Sequence, residues 1–259
     1  MKAIFGIERE RHNRLFYKEY KNDKGVFHFH SQIELYFVTE GEMEIYVGDK
    51  GKTVKAGEMS VALSFTPHSY KTPVASRSKV FIIPSYMCEE FINFTENKKA
   101  TTPFITDKET VKKIGEYVSN ALVSTNEIQR LGYIYVILGT IMNFICLEDT
   151  TENKDNDLSS KLLFYINENF KNDLTLSSIS AHFGYNASYI SKYFRDCFNI
   201  GLIQYLTVIR LKNALMLMHE KRHTLTYCAF ESGFNSMRTF YRVFSSEFSC
   251  TPKEYIKNL

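Results

Sequence analysis

Two sets of residues in this 259-residue chain have types and spacing that could do chemistry. The first is His28, His30, Glu34, Tyr36, Tyr46 and His68. A strand has a side-chain period of two, so His28 and His30 point to one face, with Glu34 and Tyr36 in phase if the pairing is unbroken. Two imidazoles, a carboxylate and a distant imidazole can hold iron, manganese, nickel or zinc, and an open coordination position would support oxygenase or isomerase chemistry. The same residues can instead hydrogen-bond a sugar or another polar small molecule between aromatic walls. The second set lies near the C-terminus: Asn186, Ser188, Ser191, Lys192 and Arg195, then Ser236, Arg238, Thr239, Tyr241 and Arg242. Short polar groups mixed with cations suit the phosphates and base edges of a DNA groove. Two of these also have plainer readings: Arg195 beside Asp196 as a solvated surface pair, and Thr239 as an ordinary surface residue.

The first set must be positioned by strands. Ile33 to Val38, Met43 to Val47 and Met59 to Phe65 are short, aromatic and β-branched, with glycine-containing punctuation between them. That pattern predicts a sandwich or barrel. From about residue 107 the period becomes helical: Val111, Ile114, Val118 and Leu122 follow a cap at Thr106-Asp107. A second helix is predicted from about Glu127 to Leu147, apolar on most sides. Such a helix must be buried by its own domain or by a second copy. Its rows Leu131-Tyr135-Leu138-Met142 and Ile134-Ile141-Ile145 suit either; we expect this segment to dimerise. Residues 149–157 are wholly polar and read as a linker.

The second set is positioned by helices. Leu176, Ile179 and Phe183 make the stripe of a short helix ending at Gly184. After the turn Tyr185-Asn186, Ala187 to Phe198 form a second helix, with Ile190, Phe194 and Phe198 inward. Two short helices joined by a tight glycine turn make a helix-turn-helix. The pattern recurs 50 residues later: Leu225 to Phe234, then Asn235-Ser236, then a helix from Met237 to Phe248. Leu202 to Met218 forms a long helix between the two units.

This arrangement resembles the AraC/XylS family of bacterial transcription regulators. Arg210-Leu211 and Ala214 match its R-L-x-x-A. Gly233-Phe234, Phe240, Arg242, Phe244 and Thr251-Pro252-x-x-Tyr255 match its G-F … F-x-R-x-F … T/S-P-x-x-Y signature. The resemblance implies two recognition helices in successive major-groove segments, about one helical turn (~34 Å) apart. It places Ser188, Ser191, Lys192, Arg238 and Arg242 near bases and Asn186, Arg195, Ser236 and Thr239 near phosphates. The family usually has glycine after each recognition helix; here Asn199 and Ser249 stand there. Tyr241 replaces a small serine and Cys228 an aliphatic residue, which implies that the second helix reads DNA differently or mainly binds phosphates.

The first set also resembles a family motif. His28-x-His30-x3-Glu34-x6-Gly41, then Gly57 and Pro67-His68, looks like the cupin metal motif, with His68 as the fourth ligand. Gly25 lies only three residues before His28, and Leu63-Ser64-Phe65 stands where the second motif has P-x-G. Many AraC-type sensor domains keep such histidines without a metal, so we expect no metal, no cofactor and no catalysis, and a ligand site made of the six residues instead. The resemblance further implies that the arm Arg9 to Tyr20, with Arg11, His12, Arg14, Phe16 and Tyr17, folds over the pocket.

Charge divides along the same line. Residues 1–158 hold 20 basic and 22 acidic residues, leaving −2; residues 159–259 hold 12 and 7, leaving +5. A basic domain favours a polyanion. Five widely spaced cysteines form no C-x-x-C pair, which fits a reduced cytosol. No uncharged apolar run approaches a span of about 20 residues. Glu8 and Arg9 interrupt any signal-peptide core.

The expected fold is α+β and multidomain. A cupin-like ligand-sensing β-barrel with its arm (1–105) precedes a helical dimerisation segment of two flanking helices (106–148) and a linker (149–158). An all-α DNA-binding domain (159–259) follows, with two helix-turn-helix units joined by a long helix. The expected function is a cytoplasmic, homodimeric activator that binds double-stranded promoter DNA and RNA polymerase, with no membrane partner. It would respond to a small molecule, a sugar first and a fatty acid second. The alternatives are a metal-dependent cupin enzyme fused to a DNA-binding domain, and a ligand-independent regulator.

Overall fold

The computed structural model describes residues 4–6, 14–95, 98–149, 154–198, 200–219 and 222–257. Arg11 and His12 of the expected arm, and Asn199, lie outside the described residues. The chain divides into two compact units, Met1–Thr151 and Glu152–Leu259.

The first unit is a β-barrel covered by helices. Its strands are β1 (Ile4–Phe5), β2 (Phe16–Lys21), β3 (Lys24–Phe29), β4 (Ile33–Val47), β5 (Lys50–Lys55), β6 (Met59–Ala62), β7 (His68–Lys71), β8 (Ser76–Ile83), β9 (Lys98–Ala100), β10 (Phe104–Ile105) and β11 (Leu147–Asp149). The two segments expected at 33–38 and 43–47 are one 15-residue strand. Its first half pairs with β6 and β8, and its second half with β5 and β7. A register shift between Val38 and Glu40 lets it bend from one sheet into the other. Gly41 follows at φ +70°, against the carbonyl of Ala75, where a side chain would collide. The turn signal at Gly41 therefore marks a bend within a strand, not its end. The arm is also partly sheet: Phe16 to Lys21 pair with β8 from Ile82 back to Arg77.

Helices α1 (Glu89–Thr95), α2 (Lys108–Val123) and α3 (Glu127–Met142) complete this unit. Asp107 caps α2 by accepting from Thr110 N at 3.0 Å, and Asn126 caps α3 by accepting from Gln129 N at 3.1 Å. The outer face of early β4 (Ile33, Leu35, Phe37) packs with Val111, Ile114 and Val118 of α2 and Ile134, Leu138 and Ile141 of α3. So the row Ile134-Ile141-Ile145 is buried in its own domain, and Leu131 and Met142 lie partly buried against it. What α3 leaves exposed is Ile128, Tyr135 and Val136, beside Gly132 and Gly139. The helix ends at Met142, short of Leu147, because Leu147 to Asp149 pair with β9 instead.

The second unit is helical: α4 (Lys154–Asn169), α5 (Leu176–His182), α6 (Ala187–Phe198), α7 (Leu202–His219), α8 (Leu225–Glu231), α9 (Met237–Phe248) and α10 (Pro252–Lys257). Residues 154–157 of the polar stretch open α4 and are not linker. Thr175 caps α5 through a reciprocal capping box with Ser178. The first part of α7 buries Leu202, Tyr205 and Leu206, with Tyr205 against Phe194 of α6. Its second part, Leu211, Ala214, Leu215 and Met218, joins Phe234, Phe240 and Phe244 in one core. An apolar circumference on α7 is thus explained by two partners, one at each end. Among the described residues no single helix is long and apolar enough to cross a membrane.

Candidate functional site

The helices expected to act as recognition helices are α6 and α9. On α6, Ser188, Lys192, Arg195 and Asp196 are exposed; with half-buried Ser191 they line a shallow groove at the start of α5. On α9, Arg238, Thr239 and Arg242 are exposed. Tyr241 is half-buried, packed at the edge of the core beside Phe240. Asn186 and Ser236 are the N-caps. Asn186 Oδ1 accepts from Tyr189 N at 2.7 Å, and Ser236 Oγ accepts from Thr239 N at 3.2 Å. Helix N-termini present free N–H groups and partial positive charge, which suits a phosphate. Tyr185 of the preceding turn and Tyr189 and Tyr193 on a neighbouring strip of α6 stack in series at 5.0 and 5.8 Å. Their i, i+4 spacing was visible in the sequence, but the sequence reading did not single them out.

The motif residues of the connecting helix α7 hold the two helix-turn-helix motifs together within this second unit. Arg210 Nε donates to the Phe170 carbonyl at 2.8 Å, and Nη2 to the Asn172 carbonyl at 2.8 Å. Gly233, at φ +82°, sits under this clamp; a Cβ there would lie 2.5 Å from the Phe170 oxygen and 2.9 Å from Arg210 Nε. Asn235 Nδ2 in the second turn donates to Asp173 Oδ1 at 3.0 Å, ahead of α5. Ser249, after α9, takes the left-handed conformation at φ +55° usual for glycine.

In the barrel, His28, His30, Glu34 and His68 come together; one donor atom from each lies within 4.8 Å of the others. His28 and His68 face each other as cross-strand partners on β3 and β7. Tyr36 is also inside, stacked on Tyr70 at 3.8 Å, with its hydroxyl bonded to Asp23 Oδ2 at 2.7 Å and Ser78 Oγ at 2.8 Å. Tyr46 is not brought there. It is 48% exposed on the outer face, against Gly51. The bulge after Val38 changes which residues point inward: Tyr36 and Val38 before it, Met43, Ile45 and Val47 beyond it. Tyr46 loses its phase with Tyr36 for that reason.

Sequence reading missed Tyr70, whose hydroxyl donates to Glu34 Oε1 at 2.5 Å. Its place two residues after His68 on one strand was the available signal. The centre is dry: His30, Glu34 and His68 are each 1% exposed, while His28 is half-buried. Burial pushes the Glu34 carboxyl up, but His68 and His30 together outweigh it and hold the group well below its usual range. Burial, reinforced by His68, pulls His28 down to about 4. Three imidazoles and a carboxylate converging on one point fit a small divalent cation of the first transition row. Buried His68 Nε2 has no hydrogen-bond partner, as a ligand nitrogen would not.

Comparison with known proteins gives the same division. A helix-turn-helix domain model matches residues 179–258, and a cupin domain model matches residues 19–84. The melibiose operon regulatory protein of Escherichia coli strain K12 is 20% identical over 251 residues, 89% of this chain and 83% of that protein. An uncharacterized HTH-type transcriptional regulator of Staphylococcus aureus strain COL is 28% identical over 162 residues, 58% of this chain and 22% of that protein. A crystal structure of fatty acid-bound ToxT from Vibrio cholerae aligns with a TM-score of 0.43 at 14% identity, covering 95% of each chain. The chain thus carries a cupin domain followed by an AraC-type helix-turn-helix domain, the domain order of AraC-type DNA-binding transcription regulators, with Arg210 and Gly233 of the signature packed on one another.

Proposed function

We propose that this regulator holds promoter DNA with both recognition helices and changes its hold when a small polar effector binds inside the barrel. The observation that carries the sensor role is the buried centre itself. A carboxylate and three imidazoles taken out of water cost stability, and apolar side chains would fill a barrel better. A ligand accounts for their place. The effector would act by its differential affinity for two arrangements of the protein. A sugar is the first expectation, in line with the named role of the melibiose operon regulator. It would enter beside half-buried His28 and compete for the bonds Tyr36 now makes with Asp23 and Ser78.

On the DNA side, Ser188, Ser191, Lys192, Arg238 and Arg242 are our base-reading residues. Asn186, Arg195, Ser236 and Thr239 are the phosphate contacts, with Tyr241 at the edge. The chain acts as a cytoplasmic homodimer, joined through the exposed face of α3, and activates by contact with RNA polymerase. It is a regulator and not an enzyme. Genome-wide mapping of bound DNA tests the reading and points to effectors through the neighbouring genes. Promoter affinity at fixed salt, with and without each candidate, then decides. Affinity and thermal stability that no candidate moves would leave a ligand-independent regulator.

A further inference from the structure

We propose that Tyr185 and Tyr189 form a groove-wall contact, donating their hydroxyls to phosphates of one DNA strand beside the bases that α6 reads. This deepens the DNA reading above and rests on it.

The placement follows from helix geometry. Successive residues stand about 100° apart around a helix. On α6, Ser188 belongs to the exposed row with Lys192 and Arg195, while Ile190 is buried with Phe194 and Phe198. Tyr189 stands between the two rows, on the flank. A helix about 10–12 Å across fills a major groove about 12 Å wide. With the Ser188 row toward the base edges, a flank faces the sugar-phosphate wall. On the other flank, Ala187 and Ser191 share a groove with Leu176 of α5. The tyrosine flank is therefore the open one.

The side chains suit a wall. Tyr185 and Tyr189 are 45% and 44% exposed, and among the described residues neither hydroxyl has a hydrogen-bond partner. A phenolic hydroxyl on a rigid ring donates readily to a phosphate oxygen. The two rings stack at 5.0 Å, and Tyr189 continues onto Tyr193 at 5.8 Å. Tyr193 is half-buried and hydrogen-bonded to Cys197 and Ser159. The row is thus ordered before DNA arrives, which lowers the entropy cost of the contact. Asn186 caps α6 between the two tyrosines, and the N–H groups at that end add partial positive charge. Asp196, exposed about two turns further on, repels phosphates and confines the contact to the start of α6. The repeat agrees. Fifty residues on, Thr239 takes the place of Tyr189, and it too is read as a phosphate contact. Asn235 takes the place of Tyr185 but is bonded to Asp173, so the tyrosine row belongs to the first helix-turn-helix alone.

The test uses the full chain and a duplex that it selects from random double-stranded DNA. Tyr185→Phe and Tyr189→Phe keep the rings and remove only the hydroxyls. Each should weaken binding about 3- to 30-fold, alike for the selected duplex and for one with the α6 bases changed. A neutral donor releases no counterion, so the salt slope should stay as in the wild type. Methylphosphonates placed one at a time along the duplex locate the partner phosphate. At one wall position beside the α6 half-site, the substitution should cost affinity in the wild type but not in Tyr189→Phe. An unchanged affinity and phosphate map in the double variant overturn the contact. So does a loss confined to one base identity, or a salt slope lowered by about 1. A double variant that binds DNA normally but no longer activates transcription also overturns it, and assigns the row to a protein partner. The DNA reading fails separately: a folded wild-type chain that selects no duplex, and binds none at low salt, overturns both.

Discussion

At the residue scale, single atoms explain why particular types stand where they do. Gly233 has both a positive φ and a carbonyl where a Cβ would go. Gly233→Ala should therefore destabilise the second unit by about 1–3 kcal/mol through strain, seen as a lower urea midpoint. Ser249 presents the opposite case, a residue with a Cβ in a left-handed conformation, φ +55°. Ser249→Gly should raise stability by about 1 kcal/mol, with an unchanged denaturant slope. The departure from the family pattern was legible in the sequence. That Ser249 nonetheless takes the left-handed turn required the backbone.

At the element scale, the recognition helices were the most legible part of the chain. Ala187 to Phe198 was predicted with the bounds observed, because local signals define it: an apolar stripe, an Asn cap and a preceding glycine turn. Lys192→Ala and Arg242→Ala should each weaken specific promoter binding by about 1–3 kcal/mol if they pair with bases. Arg195→Ala should instead weaken all sequences alike and lower the salt slope by about 1. Filter or mobility-shift titrations at several salt concentrations separate the two roles. Strand β4 was less legible. Nothing local announces that its halves serve two sheets, since the bulge near Glu40 is set by partners on β8, distant in sequence.

At the scale of the whole molecule, the small net charge of +3 resolves into unlike halves. The basic half carries the DNA-binding helices. The same scale decides how α3 can serve a dimer. Its Ile134, Leu138 and Ile141 are spent on its own barrel, which leaves Ile128, Tyr135 and Val136 for a second copy. Val136→Asp should shift a dimer toward monomer in sedimentation while leaving the fold intact, since Val136 is 45% exposed. An unchanged mass would remove this face from the interface.

The sequence by itself determined the order of the two domains, the repeated helix-turn-helix and most of the cluster in the barrel. Those features rest on local periodicity, caps and motif spacing, which a chain carries without its partners. Tertiary structure alone decided three things: that Tyr46 faces outward, that Tyr70 holds Glu34, and that Arg210 clamps two carbonyls over Gly233. Each depends on a contact between segments far apart in sequence. In β4, one extra residue at a bulge is enough to turn a side chain from the interior to the surface.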